Sequence, residues 1–146
     1  MTRARAVVDT SVILSRKADD DPHHETAREI MGGIDGGALP TGELTEIILT
    51  EVLNWIHRRA GPRDATDMLD RLVEGAHFDL VHSPKQVFGG AMGLVRQHET
   101  LSFGDATIVG QMKHRDLEHL YSFDDDFDSV DGITRLNAAE TRLSEL

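Results

Sequence analysis

The sequence predicts an α/β fold of the three-layer α/β/α kind, with a central parallel sheet of about four to five strands. Two observations support this expectation. Short apolar runs alternate with longer segments whose apolar residues recur at helical spacing, as in βαβ units. Short polar turns separate these segments, and no repeat or interdomain linker interrupts the 146 residues. We therefore expect a single domain over residues 1–146, a length that suits one hydrophobic core.

The N-terminal half begins with an apolar strand that ends in Asp9, and helical spacing follows it. The pair Gly32-Gly33 should end the second helix, while Thr45 should cap the third. The predicted elements are a strand over 4–8, a helix carrying residues 12–14, a helix from 22 to the glycine pair, an irregular strand over 38–44, and a helix that Gly61-Pro62 ends.

The C-terminal half continues the alternation. The predicted elements are helix 63–74, strand 78–81, helix 85–97, helix 105–113, strand 117–123, a short edge strand over 132–136 and a final helix over 137–143. The helix over 85–97 contains Gly89, Gly90 and Gly93, each costing up to about 1 kcal/mol relative to alanine, and close packing is the expected reason. Ligands of such folds bind beyond the carboxyl ends of the strands, where Asp9 and Asp124 both lie.

Composition limits the available chemistry. The absence of cysteine excludes disulfides, thiolate metal sites and cysteine nucleophiles, so any metal should be a hard cation held by oxygen ligands. The formal charge of −11, with twelve arginines and only three lysines, argues against a basic nucleic-acid surface unless the acids cluster around a cation. A high-salt habitat is a second hypothesis for this charge.

No apolar stretch reaches the roughly 18 to 20 residues that a membrane span requires, and the N-terminus does not resemble a signal peptide. We therefore expect a cytoplasmic protein without a membrane partner.

Two aspartates lie where a helix is predicted to begin, so each has two interpretations. Asp9 comes directly after Val7-Val8, and Asp105 follows Gly104. Each carboxylate is suited either to helix capping, which is the commoner role, or to metal binding at the sheet edge. The residues alone leave both interpretations open.

Glu51 and the run Asp124-Asp125-Asp126 are less easily explained by capping. Glu51 shares a helix face with apolar residues, where an uncompensated charge would cost several kcal/mol, which favours a ligand role over a solvated boundary position. Neighbouring aspartates repel one another unless solvent or a cation separates them. If the strand ends at Phe123, then Asp124 projects at the sheet edge, Asp126 approaches the same ion, and Ser122 hydrogen-bonds a ligand carboxylate. An exposed acidic turn is the alternative.

Four segments together resemble the motifs of PIN domains, most closely those of VapC-type toxins. They are Val7-Val8-Asp9-Thr10-Ser11, Thr50-Glu51-Val52-Leu53-Asn54, Leu101-Ser102-Phe103-Gly104-Asp105-Ala106 and Tyr121-Ser122-Phe123-Asp124-Asp125-Asp126-Phe127. The resemblance covers nearly the whole chain. Each motif is weak alone, but four of them in the right order and spacing are rather specific.

The resemblance implies a single PIN-like nuclease domain that binds Mg²⁺ or Mn²⁺ and cleaves RNA. It implies Asp9, Glu51, Asp105 and Asp124 as the catalytic metal ligands, Asp126 as an auxiliary ligand, and Thr10, Ser11 and Ser122 as hydroxyls that support the site or contact phosphate. A VapC-type toxin further implies a small antitoxin partner and a homodimer. Carboxylates are suitable ligands because a hard divalent ion polarises phosphate and activates water.

Three other functions are compatible with parts of the sequence. A phosphotransferase with Asp9 as nucleophile is disfavoured, because position 11 is serine and no lysine stands near the end of a late strand. A PIN-like module that only binds RNA or protein is the non-enzyme alternative, and retention of all four acids argues against it. An RNA-processing nuclease outside any toxin system remains the alternative within the enzyme class.

Overall fold

The computed structural model describes residues 3–139, and five strands within them form one sheet. The strands are β1 (Arg5–Val8), β2 (Thr41–Thr45), β3 (Phe78–Val81), β4 (His119–Tyr121) and β5 (Thr134–Leu136). They lie in the order β3-β2-β1-β4-β5, and every neighbouring pair is parallel. The predicted α/β class with a parallel sheet of four to five strands is confirmed, and β5 is an edge strand as expected.

Six α-helices within residues 3–139 flank the sheet. They are α1 (Thr10–Lys17), α2 (His24–Asp35), α3 (Glu46–Ala60), α4 (Pro62–Glu74), α5 (Lys85–Gln97) and α6 (Phe103–His114), and a 3₁₀ helix (Asp125–Ser129) follows β4. Thr45 caps α3 as predicted, since its hydroxyl oxygen accepts a hydrogen bond from the Ile48 amide at 3.4 Å. Gly61, at φ 95°, makes the turn between α3 and α4 in a backbone region that favours glycine. No helix of the described residues is long and apolar enough to cross a bilayer.

The predicted end of α2 at Gly32-Gly33 is wrong, because the helix continues to Asp35. Ile34 extends the buried stripe of the helix and is completely buried, so its burial favours another turn. Gly33 is needed for a different reason: a Cβ there would lie 2.7 Å from the Leu39 side chain. The glycine pair therefore allows the chain to return close to α2 rather than ending it.

The expected close packing around the α5 glycines is also wrong. A Cβ added at Gly89, Gly90 or Gly93 would meet nothing within 4 Å among the described residues. The close approach between α5 and α6 occurs instead at Gly110, where a Cβ would lie 3.3 Å from the Val87 carbonyl oxygen. The helix over residues 85–97 nevertheless forms with the predicted bounds.

Several predicted boundaries shift. Strand β2 occupies Thr41–Thr45 rather than 38–44, and β4 is limited to His119–Tyr121 within the predicted 117–123. Residues 137–139 are not helical, and the rest of the predicted helix over 137–143 lies outside the described residues. The single-domain assignment over residues 1–146 stays a prediction.

Strand β1 lies at the centre of the sheet and brings the candidate site residues to one edge. Ala6, Val7 and Val8 are completely buried, as expected for a parallel strand covered on both faces. Val8 pairs with Tyr121 of β4, and the Asp9 amide donates to the Tyr121 carbonyl at 2.9 Å. The first residues after β1 and β4 are therefore neighbours.

Strand β2 carries a charged residue, Glu43, that is completely buried. The Arg115 guanidinium donates to both of its carboxylate oxygens, with Nε 2.9 Å from Oε2 and Nη2 2.5 Å from Oε1. Arg5 Nη1 lies 3.2 Å from the same Oε1 and also pairs with Asp79. Hydrogen bonding to Glu43 raises the pKa of Arg115, so this buried carboxylate is neutralised within the chain.

Candidate metal centre

Asp9 is a buried carboxylate held by hydroxyl groups. Only 5% of the residue is exposed. It stands at the N-cap position of α1, yet its side chain forms no capping hydrogen bond, so the capping interpretation is wrong. Its Oδ2 instead accepts from the Ser122 hydroxyl at 2.7 Å and from the Ser11 hydroxyl at 3.0 Å. Two predicted supporting hydroxyls therefore fix the orientation of this carboxylate.

The surroundings of Asp9 raise its pKa. Burial raises its pKa, hydrogen bonds from Ser122 and Ser11 and from the Thr10 backbone oppose that rise, and the charge of Asp124 adds to it. No ion pair of the described residues involves Asp9. Its negative charge is therefore balanced only by dipoles.

Asp105, Asp124 and Asp126 form a compact carboxylate cluster at this edge of the sheet. One carboxylate oxygen from each lies within 4.8 Å of the other two, close enough for one cation to contact all three. Asp105 enters from the first turn of α6, while Asp124 and Asp126 enter from the start of the 3₁₀ helix after β4. Three of the five predicted ligands are thus brought together directly.

Asp105 has a structural role as well. Helix α6 begins at Phe103 with Ser102 as its N-cap, two residues before the predicted start. The Ser102 hydroxyl accepts from the Asp105 amide at 3.1 Å, and the Asp105 carboxylate accepts from the Ser102 amide at 3.4 Å. This capping box holds the side chain in place through one oxygen. Capping, the alternative considered from the sequence, is confirmed for Asp105, and it does not preclude metal binding.

The cluster is electrostatically strained. Burial, followed by the charges of Asp9 and Asp124, raises the pKa of Asp105 to about 6. The pKa of Asp126 is raised chiefly by the charge of Asp124, whose Oδ1 also accepts from the Asp126 amide at 2.9 Å. Like charges held this close resist simultaneous ionisation, and a bound cation would relieve that repulsion.

Glu51 lies beside the cluster rather than within it. The argument that its charge is buried is wrong, because the residue is exposed on α3. Its Oε1 accepts from the Thr10 hydroxyl at 3.4 Å, and a Cβ at Gly104 would lie 3.7 Å from the same oxygen. Partial burial of the carboxylate and the charge of Asp9 raise its pKa. Glu51 therefore interacts electrostatically with the site across the space between α1 and α6.

The three predicted hydroxyls connect these segments. Thr10 reaches Glu51, while the Ser11 oxygen accepts from the Phe123 amide at 3.1 Å and lies 3.4 Å from the Ser122 oxygen. The Ser122 oxygen also accepts from the Asp124 amide at 3.0 Å. These hydrogen bonds connect the start of α1 to the segment after β4 and to α3, although the three are far apart in sequence.

The sequence did not predict an aromatic group beside the site. His23 is exposed, yet its ring stacks on Phe123 with centroids 4.3 Å apart. No signal in the sequence links residues 23 and 123, because neither belongs to a periodic pattern that contains the other.

The donor set fits a hard divalent cation. It consists of carboxylate and hydroxyl oxygens, which Mg²⁺ and Mn²⁺ prefer, and it contains no thiolate and no histidine. A few carboxylates suffice, since Mg²⁺ retains several waters.

A family comparison agrees with this geometry. The family model of the PIN domain matches residues 6–133. The chain belongs to the PIN domain family. The match contains Asp9, Glu51, Asp105, Asp124 and Asp126. No curated protein sequence matches the chain significantly.

Solved structures share the PIN fold seen here. VapC20 from Mycobacterium tuberculosis, described as a toxin that cleaves the sarcin-ricin loop, is 24% identical at a TM-score of 0.73, covering 85% of this chain and 93% of its own. VapBC2 from Rickettsia felis, bound to a promoter DNA fragment, is 11% identical with a TM-score of 0.68, and the match covers 92% of this chain and 98% of the other. A toxin–antitoxin complex from Klebsiella pneumoniae is 16% identical with a TM-score of 0.66, and the match covers 88% of this chain and 95% of the other.

Proposed function

We propose that this PIN domain is a divalent-metal-dependent endoribonuclease and the toxin of a VapBC-type toxin–antitoxin pair. The observation that carries the proposal is the buried Asp9 carboxylate, which lacks an ion-pair partner among the described residues and interacts electrostatically with Asp105 and Asp124. Structural similarity to VapC toxins supports the toxin role.

In this proposal the carboxylates of Asp9, Glu51, Asp105 and Asp124 hold Mg²⁺ or Mn²⁺, with Asp126 as an auxiliary ligand. When bound, such an ion polarises the scissile phosphate and activates water for attack. Ser11 and Ser122 orient the Asp9 carboxylate by donating to its Oδ2, and these hydrogen bonds oppose the rise in its pKa that burial causes. Thr10 positions Glu51 in the same way. This mechanism requires no covalent nucleophile from the protein.

The proposed partners follow from the structural neighbours and the family resemblance. Several neighbours are toxin–antitoxin complexes, which supports a small antitoxin that blocks the site. We also propose a homodimer, by resemblance to VapC toxins. The proposed RNA substrate places the activity in the cytoplasm.

The decisive test is cleavage of a mixed RNA pool by the purified chain with Mg²⁺, Mn²⁺ or EDTA, at low and high salt. We expect divalent-dependent cleavage that Asp9→Asn reduces by at least about 100-fold, because loss of supporting groups alone typically costs 10- to 100-fold. The matched control is Asp70→Asn, an exposed aspartate on α4, which should cleave like the wild type.

Absence of cleavage in every condition, together with no divalent binding by calorimetry, would reject the nuclease and leave a binding module. Cleavage that Asp9→Asn retains would reject the assigned site. For the toxin role, expression of the wild type should arrest bacterial growth, whereas Asp9→Asn should not.

A further inference from the structure

A cavity of about 370 Å³ opens beside the candidate metal centre. Ser11 and Asp124, which belong to that centre, also form part of its lining. The remaining wall comes from α1, the turn between α1 and α2, α3, and Phe123 in the segment after β4. Its volume is within the range of pockets that hold small planar ligands. Whatever enters it lies next to the carboxylate cluster.

Aromatic side chains dominate the chemistry of this cavity. His23, Trp55 and Phe123 all line it. The His23 and Phe123 rings are nearly parallel, with an interplanar angle of 12°, and His23 is exposed. The Arg59 guanidinium lies 4.6 Å from the centroid of the Trp55 ring, which fixes the indole and holds a positive charge close to the cavity.

The charged lining excludes a phosphate as occupant. Asp21 and Asp124 are the charged residues that line the cavity, and no lysine or arginine of the described chain does so. Carboxylates repel phosphate but not a neutral ring, and their oxygens accept hydrogen bonds from exocyclic amino groups. An uncharged planar group with polar edges therefore suits both the aromatic and the acidic walls.

We propose that this aromatic cavity, lined by His23, Trp55 and Phe123, binds an unpaired nucleobase of the RNA whose phosphate lies at the metal centre. The proposal rests on the proposed function, because it places a base and its neighbouring phosphate on one strand. Unstacked bases are recognised by stacking on aromatic side chains, so the cavity selects single-stranded or looped RNA over duplex.

Trp55 makes direct observation possible because it is the only tryptophan in the chain. Its fluorescence should change saturably when an unstructured eight-nucleotide RNA is added to the Asp9→Asn protein, which cannot cleave it. A parallel titration uses a series of the same RNA with one abasic nucleotide at each successive position. One position in the series should abolish the fluorescence change or weaken binding by roughly 10-fold.

Variants of His23 separate stacking from a merely structural role. In otherwise wild-type protein, His23→Ala should raise KM for RNA cleavage roughly 10-fold with little change in kcat, and His23→Phe should restore it. Because His23 is exposed, neither change threatens folding. The matched control is His114→Ala, an exposed histidine at the end of α6, which should leave KM unchanged.

The outcomes distinguish this inference from the proposed function. Cleavage that is insensitive to abasic substitution and to His23→Ala, with unchanged Trp55 fluorescence, overturns the base pocket and leaves the nuclease intact. A fluorescence response to RNA without cleavage by the wild type supports the pocket and rejects the nuclease. A response only to a protein segment, with none to RNA, overturns the inference in favour of a protein-binding groove.

Discussion

Two buried carboxylates in this molecule have opposite surroundings. Glu43 is completely buried in β2 and is contacted by Arg115 and Arg5. Asp9 is nearly as buried at the end of β1, yet its carboxylate accepts hydrogen bonds only from two serine hydroxyls and the Thr10 backbone amide, and further carboxylates lie nearby. A buried charge without a partner is costly, so the protein stabilises the Glu43 carboxylate internally, whereas the proposed function assigns the charge of Asp9 to a bound cation.

The difference distinguishes a structural carboxylate from those of the candidate metal centre. A carboxylate that is neutralised within the chain contributes to structure and has no remaining capacity for a ligand. Around Asp9, instead, burial and the charges of Asp9 and Asp124 raise the pKa of Asp105, and the charge of Asp124 raises the pKa of Asp126. Their arrangement is unfavourable without a cation, which is what a binding site for one requires.

The largest expected effect is a loss of folding stability when Glu43 loses its main partner. Arg115→Ala should lower the free energy of unfolding by about 3 kcal/mol, because it leaves a buried carboxylate with only Arg5. Urea denaturation measures this loss. Lys17→Ala, which breaks the half-exposed pair with Asp64, should cost less than about 1 kcal/mol. Equal losses for the two variants would show that Glu43 needs no internal partner.

At the candidate metal centre around Asp9, bound Mg²⁺ should stabilise the folded protein. At about 100 times its dissociation constant, the expected gain is roughly 2.7 kcal/mol, because only the folded chain assembles the site. Urea denaturation with and without Mg²⁺ measures the gain, which Asp9→Asn should largely remove and Lys17→Ala should retain. A gain of the same size in Asp9→Asn would place the ion elsewhere.

Ser122→Ala should have a smaller effect on the same site. Losing the 2.7 Å hydrogen bond to Asp9 should weaken Mg²⁺ affinity roughly 10-fold and raise the pKa of Asp9 further, so that binding requires a higher pH. Calorimetric titrations across pH test both effects. Thr66→Ala, which removes a hydroxyl hydrogen bond within α4, is the matched control. Unchanged affinity in Ser122→Ala would mean that Asp9 needs no orienting hydroxyl.

The smallest effect concerns Asp105 in metal-free protein. Its folded pKa of about 6 lies above the ordinary aspartate value of 3.8, so the folded state retains a proton that the unfolded state releases. The contribution of Asp105 to stability therefore falls as pH rises from about 4 to about 6. Asp105→Asn should gain stability relative to wild type over that interval in EDTA. A difference in unfolding free energy that is constant across this range would contradict the assignment.

The sequence predicted the fold and the position of the site for the same physical reason. Parallel strands place their carboxyl ends at one edge of the sheet, so carboxylates after β1 and β4 were expected to meet. The pairing of Val8 with Tyr121 brings Asp9 next to Ser122, in agreement with that expectation.

Other features could not be predicted, because they depend on tertiary contacts that local sequence patterns do not indicate. Arg115 pairs with Glu43 across 72 positions, and His23 stacks on Phe123. The expected burial of Glu51 failed because helical periodicity identifies a face, whereas the packing of neighbouring elements decides how much of that face is covered.

The central position of β1 also has a consequence during protein synthesis. Asp9 leaves the ribosome early, but its partner Ser122 lies 113 positions later, and β4 cannot pair with β1 until then. A nascent chain that already carries Asp9, Glu51 and Asp105 still lacks the strand that gathers them. If the proposed nuclease function is correct, the emerging polypeptide cannot cleave RNA before β4 has left the ribosome and paired with β1.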